Sequence, residues 1–464
     1  MAAPRPVSKL TAIERIGPKG YLRYVFPFQL QDSYDLDEVA RVLRAGYETL
    51  TQRIPEVACE AVPDETSPQQ GVLRFQKLDD ADIMDTGIVV KDLRDSFPSS
   101  YAELKEKHFP VSAFDADTVC RRSVWPSAGD RLPISLVQAN FIRGGLILSW
   151  CILHMAGDGT SFYTWTKIWA EGCRRAQGLE IPDPVQLPEA IWTDREQVTR
   201  PSGKNAGNLE DHPEYTLLPF TPPGAPPKML SQTHRGQVFY FSPASLAELK
   251  AEASPLNATQ PSDQTWISTN DALSALLWRS VMAAQSPLDT LEGDPDSIFN
   301  IAIDGRQRTE PRLHKDTLGC FLQYVAVSAP VRGMLSTLNL ADLAIQIRKA
   351  ILNADEQFTD DVVALVDKLE DVDRLVPTAF LDVPGFNCVQ TSWINFELYG
   401  LEWGAVLGHR VQAVRVPHVG LINGCQVVLP RLPDGGMEIL VGVEGSCLDR
   451  LLSDPLFTKY GIAR

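Results

Sequence analysis

Residues 146–175 read LILSWCILHMAGDGTSFYTWTKIWAEGCRR, and within this stretch the period of a strand gives way to the period of a helix. Residues 146–153 form an apolar run of strand length interrupted only by Ser149. Residues 160–175 return Phe162, Trp165, Ile168, Trp169 and Cys173 to one helical face. The hexapeptide between them, His154-Met155-Ala156-Gly157-Asp158-Gly159, is therefore a strand-to-helix connection, where a rigid scaffold often presents residues for chemistry. Upstream, residues 134–141 are a second strand-like run, and Arg143-Gly144-Gly145 between the two reads as a hairpin turn. Further back, residues 35–51 space Leu36, Val39, Leu43 and Tyr47 as an amphipathic helix behind an acidic first turn.

The second half repeats this mixture. Strand patterns fall at 237–241, 299–303, 324–329, 425–429 and 437–443, the last two joined by Pro433-Asp434-Gly435-Gly436. One helix starts at Ser242-Pro243, with proline at the first helical position. Another starts at Ser268, where a polar cluster precedes Leu273, Leu276, Leu277 and Val281. A short helix is expected at the C-terminus. Between 181 and 228 lie ten of the 34 prolines and few periodic apolar positions, the composition of a surface-running crossover. The expected fold class is α/β, with mixed sheets flanked by helices. Its two domains are an N-terminal half (1–180) and a C-terminal half (229–464), joined by a proline-rich linker (181–228).

With 464 residues, 44% of them hydrophobic, the chain can bury a large core. A net charge of −16, from 43 Lys+Arg against 59 Asp+Glu, argues against nucleic acid or an anionic membrane as partner. The first residues lack the apolar core of a signal peptide, and no run is long enough to span a bilayer, so a cytoplasmic protein is expected. The eight cysteines are scattered without a CxxC pair and sit mostly in apolar runs, as buried reduced thiols do; no metal is expected. There is no P-loop, GxGxxG, GxSxG or HExxH, which removes support for nucleotide hydrolases, α/β-hydrolases and zincins.

HMAGDG remains. With seven histidines, an HxxxDG is expected by chance about 0.03 times at ordinary residue usage. A purely structural reading would have Asp158 cap the following helix. The chemical reading makes His154 a general base, since an imidazole of ordinary pKa near 6.5 suits proton removal at neutral pH. No serine or cysteine within the hexapeptide offers a nucleophile beside it, so direct attack between two bound substrates is the simpler route.

Four segments, in order along the chain, resemble the BAHD-type acyl-CoA-dependent acyltransferases, in particular a fungal branch similar to trichothecene 3-O-acetyltransferases. HMAGDG matches the family's HxxxDG, and STNDALSALLWRS matches a helix of its second domain. IDGRQR with LGC downstream matches DGRxR and a Gly-Asn segment. Thr391-Ser392-Trp393 with LYGLEWGAVLG matches a TSW and aromatic-glycine motif. In the last, the usual Asp-Phe-Gly is Glu402-Trp403-Gly404, followed by His409-Arg410.

The resemblance implies a two-domain chloramphenicol acetyltransferase-like fold with an active-site channel between the domains. It implies His154 as the catalytic base, with Asp158, Gly159 and Arg306 holding its loop through an Asp158–Arg306 pair. Thr391 and Trp393 would position substrate or the oxyanion. Glu402, Trp403 and Gly404 would be structural, Glu402 anchoring a loop to a cation such as Arg279. Acyl-CoA is the implied co-substrate, with no permanently bound cofactor, and its phosphates can use the basic island of Arg306, Arg308, Arg312 and Lys315. The acceptor is a hydroxyl, or an amine, of a hydrophobic secondary metabolite, acetyl is the default acyl group, and the enzyme is expected to be a monomer. An alternative in the same fold is a condensation-type or ring-closing enzyme whose donor is tethered to a carrier protein or lies in the same molecule. A non-catalytic metabolite-binding protein is the remaining alternative. The other histidines, at 108, 212, 234, 314, 409 and 418, receive no role.

Overall fold

The hairpin read at 134–153 lies in the middle of a four-stranded sheet. In the computed structural model, which describes residues 9–31, 33–78, 87–231, 233–382, 385–418 and 422–464, this sheet contains β1 (Tyr21–Gln29), β2 (Val89–Asp92), β3 (Ser135–Ile142) and β4 (Gly145–Leu153). The order is β1-β4-β3-β2, with β2 parallel to β3 and the other pairs antiparallel. Every residue of β3 and β4 is buried, which explains why β4 is apolar on both faces except at Ser149; in β3 the buried Gln138 and Asn140 interrupt the apolar run and hydrogen-bond to each other at 2.7 Å. Helices α1 (Leu36–Arg53) and α2 (Gly159–Ala176) pack on each other, and α2 lies on the sheet. Trp150 of β4 meets Trp169 of α2 edge-on at 4.9 Å. Phe162, Trp165, Ile168, Trp169 and Cys173 are all buried, each large side chain contributing about 1.5–3 kcal/mol.

A seven-stranded mixed sheet forms the other half. It comprises β5 (His234–Phe241), β6 (Asp296–Asp304), β7 (Leu322–Pro330), β8 (Cys388–Ser392), β9 (Cys425–Val428), β10 (Met437–Glu444) and β11 (Gly461–Ala463), in the order β7-β6-β8-β9-β10-β5-β11. β8 runs parallel to both β6 and β9. Its helices are α3 (Thr269–Gln285), α4 (Leu340–Asn353) and α5 (Glu356–Asp367). Ser268 and Asp271 close a reciprocal cap at the start of α3, and Leu273, Leu276, Leu277 and Val281 are fully buried. Short helices do occur near the C-terminus, but the chain closes on β11, paired with β5. Three residues with Ile462 exposed are too short a pattern to read.

The two cores do not divide at 181–228. Trp393, Trp403, Leu407, Val411 and Val414 belong to the core of the first sheet, and the chain around 411–415 bridges to β1 at Phe28 and Val25.

The segment 181–228 is more than a surface crossover, because its anchors are polar and so leave no hydrophobic period. Arg195 pairs with buried Glu14, Lys228 with Asp382 at 2.8 Å, and Tyr215–Leu217 pairs as a strand with Leu375–Pro377. His212 is buried between Glu214 (2.8 Å) and Asp361 of α5 (2.9 Å). Burial favours its neutral ring, but the hydrogen bonds and charges of Glu214 and then Asp361 outweigh this and raise its pKa. A raised folded-state pKa adds stability that is fully present below the unfolded value of about 6.5 and is lost as pH rises through the folded value. Wild-type protein is therefore expected to exceed His212→Gln in urea-unfolding stability by a margin that shrinks with rising pH. A margin that is constant across that range contradicts the charged clamp.

Candidate active site

β4 ends at Leu153, and a single 3₁₀ turn (His154–Ala156) carries the chain to Asp158, the N-cap of α2. The His154 N–H donates to the Gly20 carbonyl at 2.9 Å, tying the turn to the residue before β1. Cys320 Sγ lies 4.0 Å from His154 Nδ1, so Nδ1 faces the protein and Nε2 the cavity that His154 lines. Burial lowers the imidazole pKa, only partly offset by hydrogen bonding to its own backbone and by the Asp158 charge. The ring is neutral at physiological pH, the form that accepts a proton.

Asp158 does not share a hydrogen bond with His154. Its Oδ1 accepts from the Thr160 and Ser161 N–H groups at 3.1 and 3.2 Å, and its Oδ2 from the Phe321 N–H at 2.9 Å. Both oxygens also meet Arg306, at 2.9 and 2.6 Å. The cap of the structural reading and the ion pair of the family reading are thus one arrangement. Arg306 is fully buried; it also donates to Asp304 (2.9 Å) and to the carbonyls of Thr317 (2.7 Å) and Gly319 (3.2 Å). Gly159 opens α2 at the cavity wall, where a Cβ would lie 2.6 Å from the Phe396 ring.

A cavity of about 250 Å³ runs between the two sheets, with His154, Gly159, Thr391 and Trp393 in its wall. The N-terminal half contributes residues 20–23 of β1 and its approach, and the C-terminal half contributes β6, β7 and β8. Trp393 is braced against Tyr24, ring centres 4.9 Å apart. Two further cavity residues received no role from the sequence: Ser392, in the middle of the TSW motif, and Gln390, just before it. Ser392 Oγ is buried without a hydrogen-bond partner, and Gln390 is bound to Ser274 and Gln426.

The Glu402-Trp403-Gly404 motif is not in this cavity. Gln177, the residue after α2, donates to the Trp403 carbonyl at 2.7 Å and accepts from the Val406 N–H at 3.0 Å. The motif therefore sits at the far end of an 18-residue helix, about 27 Å from His154 by helical rise. Trp403 is buried between Phe28 and Trp169. Gly404 has φ +87°, and a Cβ there would strike the Gln177 amide. Glu402 does not reach Arg279, whose Nη2 donates instead to the Leu335 carbonyl. Its partners are His409 (2.7 Å) and Arg410 (2.9 Å), the next loop having supplied cations closer than a distant helix can.

The basic island is also divided. The donors of Arg306 are spent internally, so it is unavailable to a phosphate. Arg308 donates to the carbonyls of Ile351 (3.0 Å) and Ala354. Arg308 and Arg312 line a more open second cavity shared with Asp304, Asp355 and Glu356, while Lys315 is exposed outside it. Among the described residues no group of three His, Cys, Asp or Glu is disposed to hold a metal ion, and no helix is long and apolar enough to cross a membrane.

Residues 113–447 match the model of the Transferase family. The chain belongs to this family, the BAHD-type acyltransferases. Residues 21–173 also match a trichothecene 3-O-acetyltransferase-like N-terminal domain. An eremophilane O-acetyltransferase of Penicillium rubens is 27% identical over 487 residues, covering 98% of both chains. A Penicillium crustosum protein named as an enoyl-CoA isomerase/hydratase is 28% identical over 459 residues, 96% of this chain but only 50% of its own; the chain thus spans about half the length of that relative. The BAHD-type fold is seen directly in the crystal structure of F. graminearum TRI101 with coenzyme A and deoxynivalenol. It superposes with a TM-score of 0.83 at 23% identity, covering 99% of this chain and 100% of TRI101.

Proposed function

We propose that this chain transfers an acyl group, acetyl in the simplest case, from acyl-CoA to a hydroxyl of a largely apolar secondary metabolite, with His154 as general base. The observation that carries this reading is a neutral His154 whose Nε2 faces a cavity formed by both halves of the molecule. Nε2 takes the hydroxyl proton as the oxygen attacks the thioester carbonyl, and the imidazolium then returns the proton to the departing thiolate. A covalent enzyme ester is not needed: the one thiol beside the ring, Cys320, is buried and its pKa is raised by that burial. The tetrahedral oxyanion requires donors. The unpartnered Ser392 hydroxyl joins Thr391 and Trp393 as a candidate. Asp158, Gly159 and Arg306 act as positioning residues, and Glu402, Trp403 and Gly404 as structural ones.

Acyl-CoA enters as co-substrate, in keeping with a relative named for O-acetylation and a structural neighbour holding coenzyme A. The eight free thiols suit a reducing compartment, which supports a cytoplasmic location. Calorimetric titration with acetyl-CoA and with CoA tests the donor without knowledge of the acceptor. A dissociation constant around micromolar, about −8 kcal/mol, is expected. A folded sample that binds neither contradicts the CoA-dependent reading and favours a carrier-tethered or ring-closing reaction.

A further inference from the structure

Arg23 is, among the described residues lining the main cavity, the charged side chain left without a counter-charge. Asp158 and Asp304 are both paired with Arg306, and His154 is neutral. Arg23 is only 7% exposed. Among the described residues its guanidinium makes one hydrogen bond, from Nη1 to the Arg122 carbonyl at a long 3.4 Å, and its Nε has no partner. A buried guanidinium normally spends its five donors on carboxylates and carbonyls, as Arg306 and Arg415 do in this protein.

The setting indicates what the guanidinium is kept for. Arg23 stands opposite Cys151 in the β1–β4 register, three residues before His154, a separation of about 10 Å by strand rise. The cavity it lines also takes apolar wall from Val124, Trp125, Val416 and Pro417. A planar, five-donor cation in the wall of a largely apolar cavity matches a bidentate anionic oxygen group attached to an apolar body. Coenzyme A does not meet this description, because its nearest anionic group lies a full pantetheine arm from the thioester, further than Arg23 lies from His154.

We infer that Arg23 receives an anionic oxygen group of the acceptor, a carboxylate in the simplest case, so that the acceptor is an apolar hydroxy acid whose hydroxyl reaches His154. This rests on the reading of His154 as the base for a hydroxyl acceptor, and it adds the chemical class of that acceptor.

The test is calorimetry on the full chain, with CoA present, using ω-hydroxydecanoate and its methyl ester as probes. Wild-type protein is expected to bind the acid at least about tenfold more tightly than the ester. Arg23→Gln should abolish that preference while retaining CoA affinity, and Arg23→Lys should keep only part of it, since a point charge replaces the fork. If wild-type protein binds CoA but takes acid and ester equally, or takes neither, or if the preference survives in Arg23→Gln, the assignment is overturned. The wild-type comparison decides even if the variants fail to fold. Failure of the donor reading shows separately, as absence of CoA binding by the wild type.

Discussion

His154→Ala is expected to lower turnover by about 10²–10⁴-fold, with folding and CoA binding close to wild type. The size follows from removing the base while leaving the oxyanion donors and both substrate sites in place. Stability should change little, because the main-chain hydrogen bond to Gly20 survives the substitution and the ring's hydrogen-bonding contact with a described side chain is a weak one to the Cys320 sulfur. The pH profile gives an independent check. Protonation disables the base, and burial holds the ring below the ordinary histidine value. The wild-type kcat/KM should therefore stay level from neutral pH down past about 6.5 and fall only below that. Unchanged turnover in the variant, or an acid limb centred above the ordinary value, would remove His154 from the mechanism.

What could be read in the sequence depended on whether the information was local and periodic. Residues 146–175 disclosed both elements because the fully buried β4 leaves an apolar run broken only by Ser149 and α2 buries one stripe of large side chains. The cap by Asp158 was equally local. Its partner Arg306 lies 148 residues away, and no spacing rule connects them; only the family resemblance did. The segment 181–228 hid its anchors because Arg195, His212 and Lys228 are held by polar contacts to residues far along the chain, so in a one-dimensional pattern they resemble ordinary surface residues. Glu402 showed the reverse error. A distant partner was expected where His409 and Arg410, seven and eight residues on, suffice. Arg23 gave no signal at all, since an arginine between apolar strand residues reads as solvent-facing, whereas in the fold it is buried in the cavity wall.

The second large effect is expected at Arg306. Arg306→Met should cost about 3–5 kcal/mol of unfolding free energy, because it leaves the Asp158 carboxylate buried without its counter-charge. The backbone N–H groups of Thr160, Ser161 and Phe321 would remain as its only hydrogen-bond donors. The loss is not confined to one ion pair. Arg306 also gathers Asp304 and the carbonyls of Thr317 and Gly319, so it joins the end of β6 to the loop whose Cys320 flanks His154. Activity should therefore fall together with stability. Asp158→Asn is expected to destabilise by a comparable mechanism, since it leaves Arg306 charged and buried. The double variant Asp158→Asn, Arg306→Met should then be less destabilised than the sum of the two singles, because no buried charge is left unpaired, Asp304 being open to solvent. Denaturant unfolding of the four proteins measures this coupling directly. Additive losses would mean that the two residues act separately, and a fully stable but inactive Asp158 variant would give Asp158 a part in the chemistry rather than in holding the loop.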